Sequence, residues 1–153
     1  MHKLKDLGVK QLLRYVDDVF ATLDNKEQAN NVLEFLNKLH PNIKFTIEHE
    51  ERNRLPFLDT CVVRKNSKYK TTIYRKATFT GLYLNWTSLT ARRYKIGLIR
   101  CLAERIWRIV SDEQERLTEI EKFMTIFARN EYPPEVVDES IARFLKSKAR
   151  EPD

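Results

Sequence analysis

Leu12-Leu13-Arg14-Tyr15-Val16-Asp17-Asp18-Val19-Phe20-Ala21-Thr22-Leu23 is an apolar run interrupted by two adjacent carboxylates. β-Branched and aromatic residues on both sides favour extended backbone, and Asp tolerates a tight turn. The stretch therefore predicts a strand, an Asp-Asp turn and a second strand. Such a hairpin holds two acids at the tip of a stiff platform. Hard divalent ions share that kind of oxygen site with substrate phosphates, and two-metal phosphoryl transfer requires it. Paired acids at a hairpin also serve simply to solvate the turn, and many unrelated folds contain a Tyr-x-Asp-Asp string.

Working outward, Asp24-Asn25-Lys26-Glu27 has the spacing of a capping box with Asp24 as N-cap. Ala29, Val32, Leu33, Leu36 and Leu39 follow at helical spacing, and His40-Pro41-Asn42 ends the helix. Ile43–Glu48 alternates strictly between apolar and polar residues, the pattern of a half-buried strand. A polar turn at Glu50–Arg54 leads to a further strand over Leu55–Val63, and Asn66-Ser67-Lys68 turns it into Tyr69–Arg75. Leu12–Arg75 thus reads β-β-α-β-β-β.

From about Ala91 the period becomes helical, with Tyr94, Leu98, Cys101, Leu102, Ile106, Ile109 and Val110 as the apolar stripe. Ser111 and Gln114 form a second capping box, opening a helix with Leu117, Ile120, Phe123, Met124 and Phe127 inward. Asn130 and Pro133-Pro134 break it, and Pro134 suits the first turn of a third helix carrying Val137, Ile141, Phe144 and Leu145. The expected class is α+β: a partial antiparallel sheet with one packed helix over residues 1–76, a connecting loop over 77–90, a three-helix bundle over 91–148 and a tail over 149–153.

The 153 residues carry 28 Lys+Arg against 22 Asp+Glu, a formal charge of +6, and 42% hydrophobic residues. That content supports a core and excludes wholesale disorder, and the basic excess fits a polyanionic partner. Arg92, Arg93, Lys95, Arg100, Arg105 and Arg108 concentrate charge on one helix, opposed there by Glu104 alone. Such a face tracks phosphates or merely solubilises the helix. Cys61 and Cys101 lack any Cys-x-x-Cys pattern, and the three histidines show no ligand spacing, so no structural zinc site is expected. No apolar stretch approaches a membrane span, and Met1–Lys10 has no apolar core of a signal peptide. An intracellular chain, nuclear or cytoplasmic, is expected; its oligomeric state is not legible.

The ordered set Arg14-Tyr-Val-Asp-Asp-Val-Phe20, Leu55-Pro-Phe-Leu-Asp59, Tyr74-Arg-Lys-Ala-Thr-Phe-Thr-Gly81 and Arg92-Arg-Tyr-Lys95 resembles the reverse transcriptase of Penelope-like retroelements, over roughly residues 12–145. That resemblance implies a palm subdomain followed by a helical thumb of an RNA-directed DNA polymerase. It implies Tyr15, Asp17 and Asp18 as catalytic residues, with Asp17 and Asp18 binding Mg²⁺ or Mn²⁺ in the intact enzyme. It also implies a primer grip at Leu55, Phe57 and Leu58, and a duplex-following face at Arg92, Arg93, Lys95 and Arg100. Lys44 becomes a candidate general acid toward pyrophosphate. RNA template, DNA primer or duplex and deoxynucleoside triphosphates are the implied partners. Ala77 stands where such proteins commonly carry Pro. More seriously, only fourteen residues precede Tyr15, too few for the separate strand that supplies a further metal-binding Asp. The expectation is therefore a carboxyl-terminal fragment, inert alone; the alternative is a non-catalytic helical module that binds nucleic acid or protein.

Overall fold

The computed structural model describes residues 2–66 and 68–150. Ser67 of the expected Asn66–Lys68 turn, and residues 151–153 of the expected tail, lie outside them. The architecture is α+β, with two small antiparallel sheets followed by a helical C-terminal region. The chain divides at Leu58/Asp59 into two compact units.

The first unit opens with a short helix, α1 (His2–Asp6), in a segment that reads as merely polar. Gly8 follows at φ +88, a left-handed conformation that a Cβ would strain. Strands β1 (Gln11–Tyr15) and β2 (Asp18–Thr22) then pair antiparallel, from Gln11 opposite Thr22 to Tyr15 opposite Asp18. This register makes Val16-Asp17 a two-residue turn, so Asp17 sits in the turn while Asp18 already opens β2. Two-residue hairpin turns match strand twist by taking positive φ, and here that demand falls on Val16, at φ 54. The Arg14 Nε donates to the Val16 carbonyl at 2.8 Å and braces the turn.

Helix α2 (Lys26–Lys38) is capped one residue later than the sequence indicates. Asn25 Oδ1 accepts from the Gln28 N–H at 2.9 Å, and Gln28 Oε1 accepts from the Asp24 N–H at 3.0 Å. Asn25 is therefore the cap, with Gln28 returning a bond to its neighbour. Val32 is buried beneath the helix, while Leu39, expected on the inner stripe, is exposed.

Ile43–Glu48 is not a strand. Alternation alone cannot make one without a neighbouring ladder, and here the Asn37 carboxamide takes that place. Phe45 N–H donates to Asn37 Oδ1 at 2.6 Å, and Asn37 Nδ2 donates to the Phe45 carbonyl at 3.1 Å. Glu51 and Arg54 then close a tight turn through Arg52 and Asn53, both at positive φ, into β3 (Arg54–Phe57). The expected single strand Leu55–Val63 is broken after Phe57 by Leu58, at φ 56.

In the second unit, β4 (Thr60–Lys65) and β5 (Lys68–Ile73) form an antiparallel hairpin with Cys61 opposite Thr72. Three helices follow: α3 (Arg92–Ile109), α4 (Glu113–Arg129) and α5 (Pro134–Lys148). Ile99, Ile106, Val110 and Phe127 are the most deeply buried side chains, joined by Ile73 from β5 and by Ile120, Phe123, Tyr132, Val137 and Ile141. β5 is tied to the α3–α4 junction. Thr71 Oγ1 donates to the Ile109 carbonyl at 2.6 Å, Ser111 N–H donates to the Thr71 carbonyl at 3.1 Å, and Lys70 pairs with Asp112. Ser111 is consequently not the cap of α4: its hydroxyl accepts from the Thr71 N–H, and Asp112 caps by accepting from Glu115 N–H at 3.2 Å. Pro134 occupies the first turn of α5, as its fixed φ and missing N–H favour.

Candidate nucleic-acid interface

The buried face of α3 runs through Lys95, Ile99, Leu102, Ala103 and Ile106. Tyr94 and Cys101, expected on that stripe, are exposed instead. The line Lys95, Ile99, Leu102, Ile106 repeats two residues away as Arg93, Gly97, Arg100, Glu104, followed by Arg108. Two residues are about 200° around a helix, so this second line lies opposite the core.

The six basic residues of α3 do not act alike. Lys95, expected among the phosphate contacts, is only 6% exposed. Its Nζ donates to the Trp86 carbonyl and, at 2.6 Å, to the Ser88 carbonyl, and it lies 5.5 Å from the Trp86 ring centroid. The charge is used to hold the 86–88 loop against the helix. Arg105 is paired with Asp59 at 2.9 Å. Arg92, Arg93, Arg100 and Arg108 are exposed, and among the described residues none of the four has an ion-pair partner. Glu104, the one acid of α3, is engaged by Lys148 at 3.2 Å. The surface presented by α3 is therefore four unopposed arginines.

Arg92 and Arg93 stand in the first turn, which contains no acid. A helix N-terminus already carries about half a positive charge, so cations there add to the field instead of neutralising it. Each rests on an aromatic ring: Arg92 at 5.7 Å from Trp86, Arg93 at 4.9 Å from Tyr94 with a 3.1 Å bond to its hydroxyl. Aromatic faces tolerate guanidinium well and keep its edges available.

The turn between α4 and α5 comprises Asn130 to Pro133, with Glu131 at φ 62. Asn130 is 3% exposed and bonded throughout. Its Nδ2 donates to the Gly81 and Ile126 carbonyls at 2.9 and 2.8 Å, its Oδ1 accepts from Tyr83 N–H at 2.9 Å, and its carbonyl accepts from Trp86 N–H at 3.0 Å. The side chain thus fastens Gly81 and Tyr83, and the main-chain carbonyl fastens Trp86, to the end of α4. Tyr132 packs beside it, its ring 4.9 Å from Phe127 and 5.2 Å from Trp86, and burial raises its phenol pKa. In the sequence Asn130 reads only as a helix breaker. The aromatic-rich stretch 78–88 just ahead of α3 was the available signal that something must anchor it.

Residues 82–142 match the family model of the animal helix-turn-helix domain. The match begins in the segment clasped by Asn130, takes in α3 and α4 and ends at Ala142 in α5, less than half of the chain. No curated protein and no solved structure matches the chain. The finding corrects the resemblance to Penelope-like reverse transcriptases: no reverse-transcriptase family matches, and the stretch assigned to a polymerase thumb is matched by a helix-turn-helix instead. The RNA-directed DNA polymerase reading, with its palm, RNA template, primer and deoxynucleoside triphosphates, is overturned with it.

The residues that carried that reading sit as follows. Tyr15, Asp17 and Asp18 are exposed at the β1–β2 tip. Among the described residues no group of three or more His, Cys, Asp or Glu is placed to hold a metal ion. Two neighbouring acids without a third ligand are a poor fit to Mg²⁺ or Mn²⁺ held for phosphoryl transfer. Leu55 and Phe57 are half-buried on β3, with the Phe57 ring 5.5 Å from Phe20, and Leu58 is exposed in the following turn. Lys44 is exposed in the irregular 41–50 segment. Among the described residues no helix is long and apolar enough to cross a membrane.

Proposed function

We propose that the helical part of this chain binds duplex DNA through the phosphate backbone. The observation that carries this reading is the set of four exposed, unpaired arginines on α3 within the segment that matches a helix-turn-helix family. Helix-turn-helix units seat one helix against DNA, and phosphate contacts fix its register. The helix after the α4–α5 turn is the usual groove reader, but here it presents exposed Glu135, Asp138 and Glu139 in its first turns. Glu139 is paired there with Arg143 at 2.6 Å, but Glu135 and Asp138 remain to repel a phosphate backbone, so contact falls to α3. Binding is accordingly governed by charge and indifferent to base sequence. A DNA partner also accords with a nuclear or cytoplasmic chain.

The test uses the full chain and a mixed-sequence DNA duplex, with affinity measured across a salt series. Four neutralised phosphates give a slope of about −3.6 in log K against log salt. Changing Arg92, Arg93, Arg100 and Arg108 together to Glu removes binding and flattens the slope. A chain that ignores duplex DNA at low salt, or binds it with no salt dependence, ends this reading.

A further inference from the structure

Gly97 is out of place by every intramolecular criterion. It is the sixth residue of an 18-residue helix, inside the second turn, where Gly is the least favourable residue after Pro. Nothing inside the molecule requires it: a Cβ at this position meets no atom within 4 Å. Its conformation is ordinary, since the glycines at positive φ are Gly8 and Gly81. A helix that tolerates this loss on its solvent side leaves the space for something outside the chain.

The surroundings identify what that is. Gly97 is on the line opposite the buried face, with Arg93 one turn before it and Arg100, Glu104 and Arg108 after it, the charge of Glu104 being met by Lys148 at 3.2 Å. From Arg93 to Arg108 the line extends about 22 Å along the axis. The absent side chain opens the helix backbone between flanking guanidinium groups, and their charge selects an anion. A second copy of the chain is disfavoured, because two such faces would set Arg93, Arg100 and Arg108 against their own like charges.

Building on the DNA-binding reading above, we infer that α3 lies lengthwise on the duplex backbone with Gly97 at the point of closest approach. A phosphate there sits against the bare helix backbone, and Arg93 and Arg100 grip it and its neighbours. Glycine serves close approach of backbone to ligand in this way, whereas a side chain would hold the helix off and lengthen every arginine contact.

The full chain, Gly97→Ala and Gly97→Leu are compared for thermal stability and for anisotropy-monitored binding to a mixed-sequence DNA duplex at one low salt concentration. Both substitutions favour helix and a Cβ at 97 meets no neighbour, so both melt roughly 2–4 °C higher than the parent chain. Binding moves the other way, with Gly97→Leu weakened by about tenfold or more, the equivalent of one lost charged contact, and Gly97→Ala by less. This opposition of stability and affinity excludes misfolding as the cause. If the parent chain binds with the expected salt slope but Gly97→Leu binds equally well, the inference about Gly97 falls and the DNA reading stands. If the parent chain binds no duplex, both fall. A parent chain that sediments as a dimer, and as a monomer once Gly97 is Leu, would assign the face to self-association and overturn the inference.

Discussion

The two compact units differ sharply in what holds them. Among the described residues, the buried apolar ones in the unit that ends at Leu58 are Val9 and Val32; the others, from Cys61 to Phe144, belong to the unit that begins at Asp59. The first unit meanwhile exposes Leu13, Tyr15, Val16, Leu39 and Ile43. Burial of apolar surface is the main favourable term in folding, so the free energy of this fold resides in the second unit. The most conspicuous motif of the sequence, Tyr15–Asp18, stands in the region with least core. A legible string and a well-supported structure are separate properties of a chain.

The largest expected effect that tests this contrast is at Phe127. Its ring is 1% exposed and lies 4.9 Å from Tyr132 and 6.4 Å from Phe123. Phe127→Ala should cost about 3–5 kcal/mol in denaturant unfolding of the helical unit, through lost burial and a residual cavity. A loss below about 1 kcal/mol would show that this cluster does not carry the unit. Next comes Asn130→Ala, which takes the side-chain partners from the half-buried Tyr83 N–H and the buried Gly81 carbonyl. About 2–3 kcal/mol should be lost, and amides of residues 81–86 should exchange faster before global unfolding. Unchanged exchange there would dissociate the 81–86 segment from the Asn130 clasp.

These same residues show what was readable in the sequence. The helices were legible because apolar residues at 3.6-residue spacing need nothing beyond a partner surface, and α3, α4 and α5 all form. Their rotation was less legible. Tyr94, Cys101, Leu117 and Met124 fit an apolar stripe by spacing yet face solvent, because the stripes are displaced onto Lys95, Ile99, Glu119 and Ile126. Both helix caps moved by one residue, to Asn25 and Asp112. In each pair two competent residues are adjacent, and for Ser111 it is a distant strand residue, Thr71, that claims the hydroxyl. Ile43–Glu48 failed as a strand because alternation cannot reveal that Asn37 will occupy its hydrogen bonds. Lys95 looked equivalent to the arginines around it, although its place four residues before Ile99 was the available sign of burial. The polymerase reading rested on short strings, and four or five residues at a time specify a turn far better than a family.

Electrostatics inside the second unit supply a smaller test. Glu119 is 5% exposed, with Arg75 at 2.6 Å and Lys122 at 2.7 Å, and Arg75 lies over the rings of Phe123 and Phe79. Burial by itself raises the Glu119 pKa, but the bonds and charges of Arg75 and Lys122 outweigh it and leave the carboxyl below its usual range. A lowered folded-state pKa contributes stability that is fully present above the unfolded value, about pH 4.3, and is lost as pH falls through the folded value. Asp112, held low by Lys70 and the Glu115 N–H, adds in the same direction. Unfolding midpoints of the parent chain should therefore fall with acid below that pH. Glu119→Gln should be less stable by about 2 kcal/mol at neutral pH, since Arg75 keeps some access to water, and should lose less on acidification. Parallel pH profiles for the two chains would exclude Glu119 as the acid-sensitive group.

The smallest effect belongs to the first unit, and there the sign reverses. Val16 carries a β-branched side chain at φ 54, a conformation that costs an L-residue roughly 1–2 kcal/mol and that β-branching makes worse. The turn imposes it, because Tyr15 pairs with Asp18 and leaves only two residues to reverse the chain. The Val16 side chain is 69% exposed, so removing it forfeits little burial. Val16→Gly should accordingly stabilise the hairpin, by about 1 kcal/mol less the extra freedom Gly gains when unfolded. The readout is slower amide exchange across Gln11–Thr22, with protection in α3–α5 unchanged. Faster exchange in the hairpin would mean that the turn is not strained and that Val16 contributes through contacts of its own. An increase in protection confined to β1 and β2 would show that this ribbon opens independently of the helical core, as its two buried valines and exposed apolar residues imply.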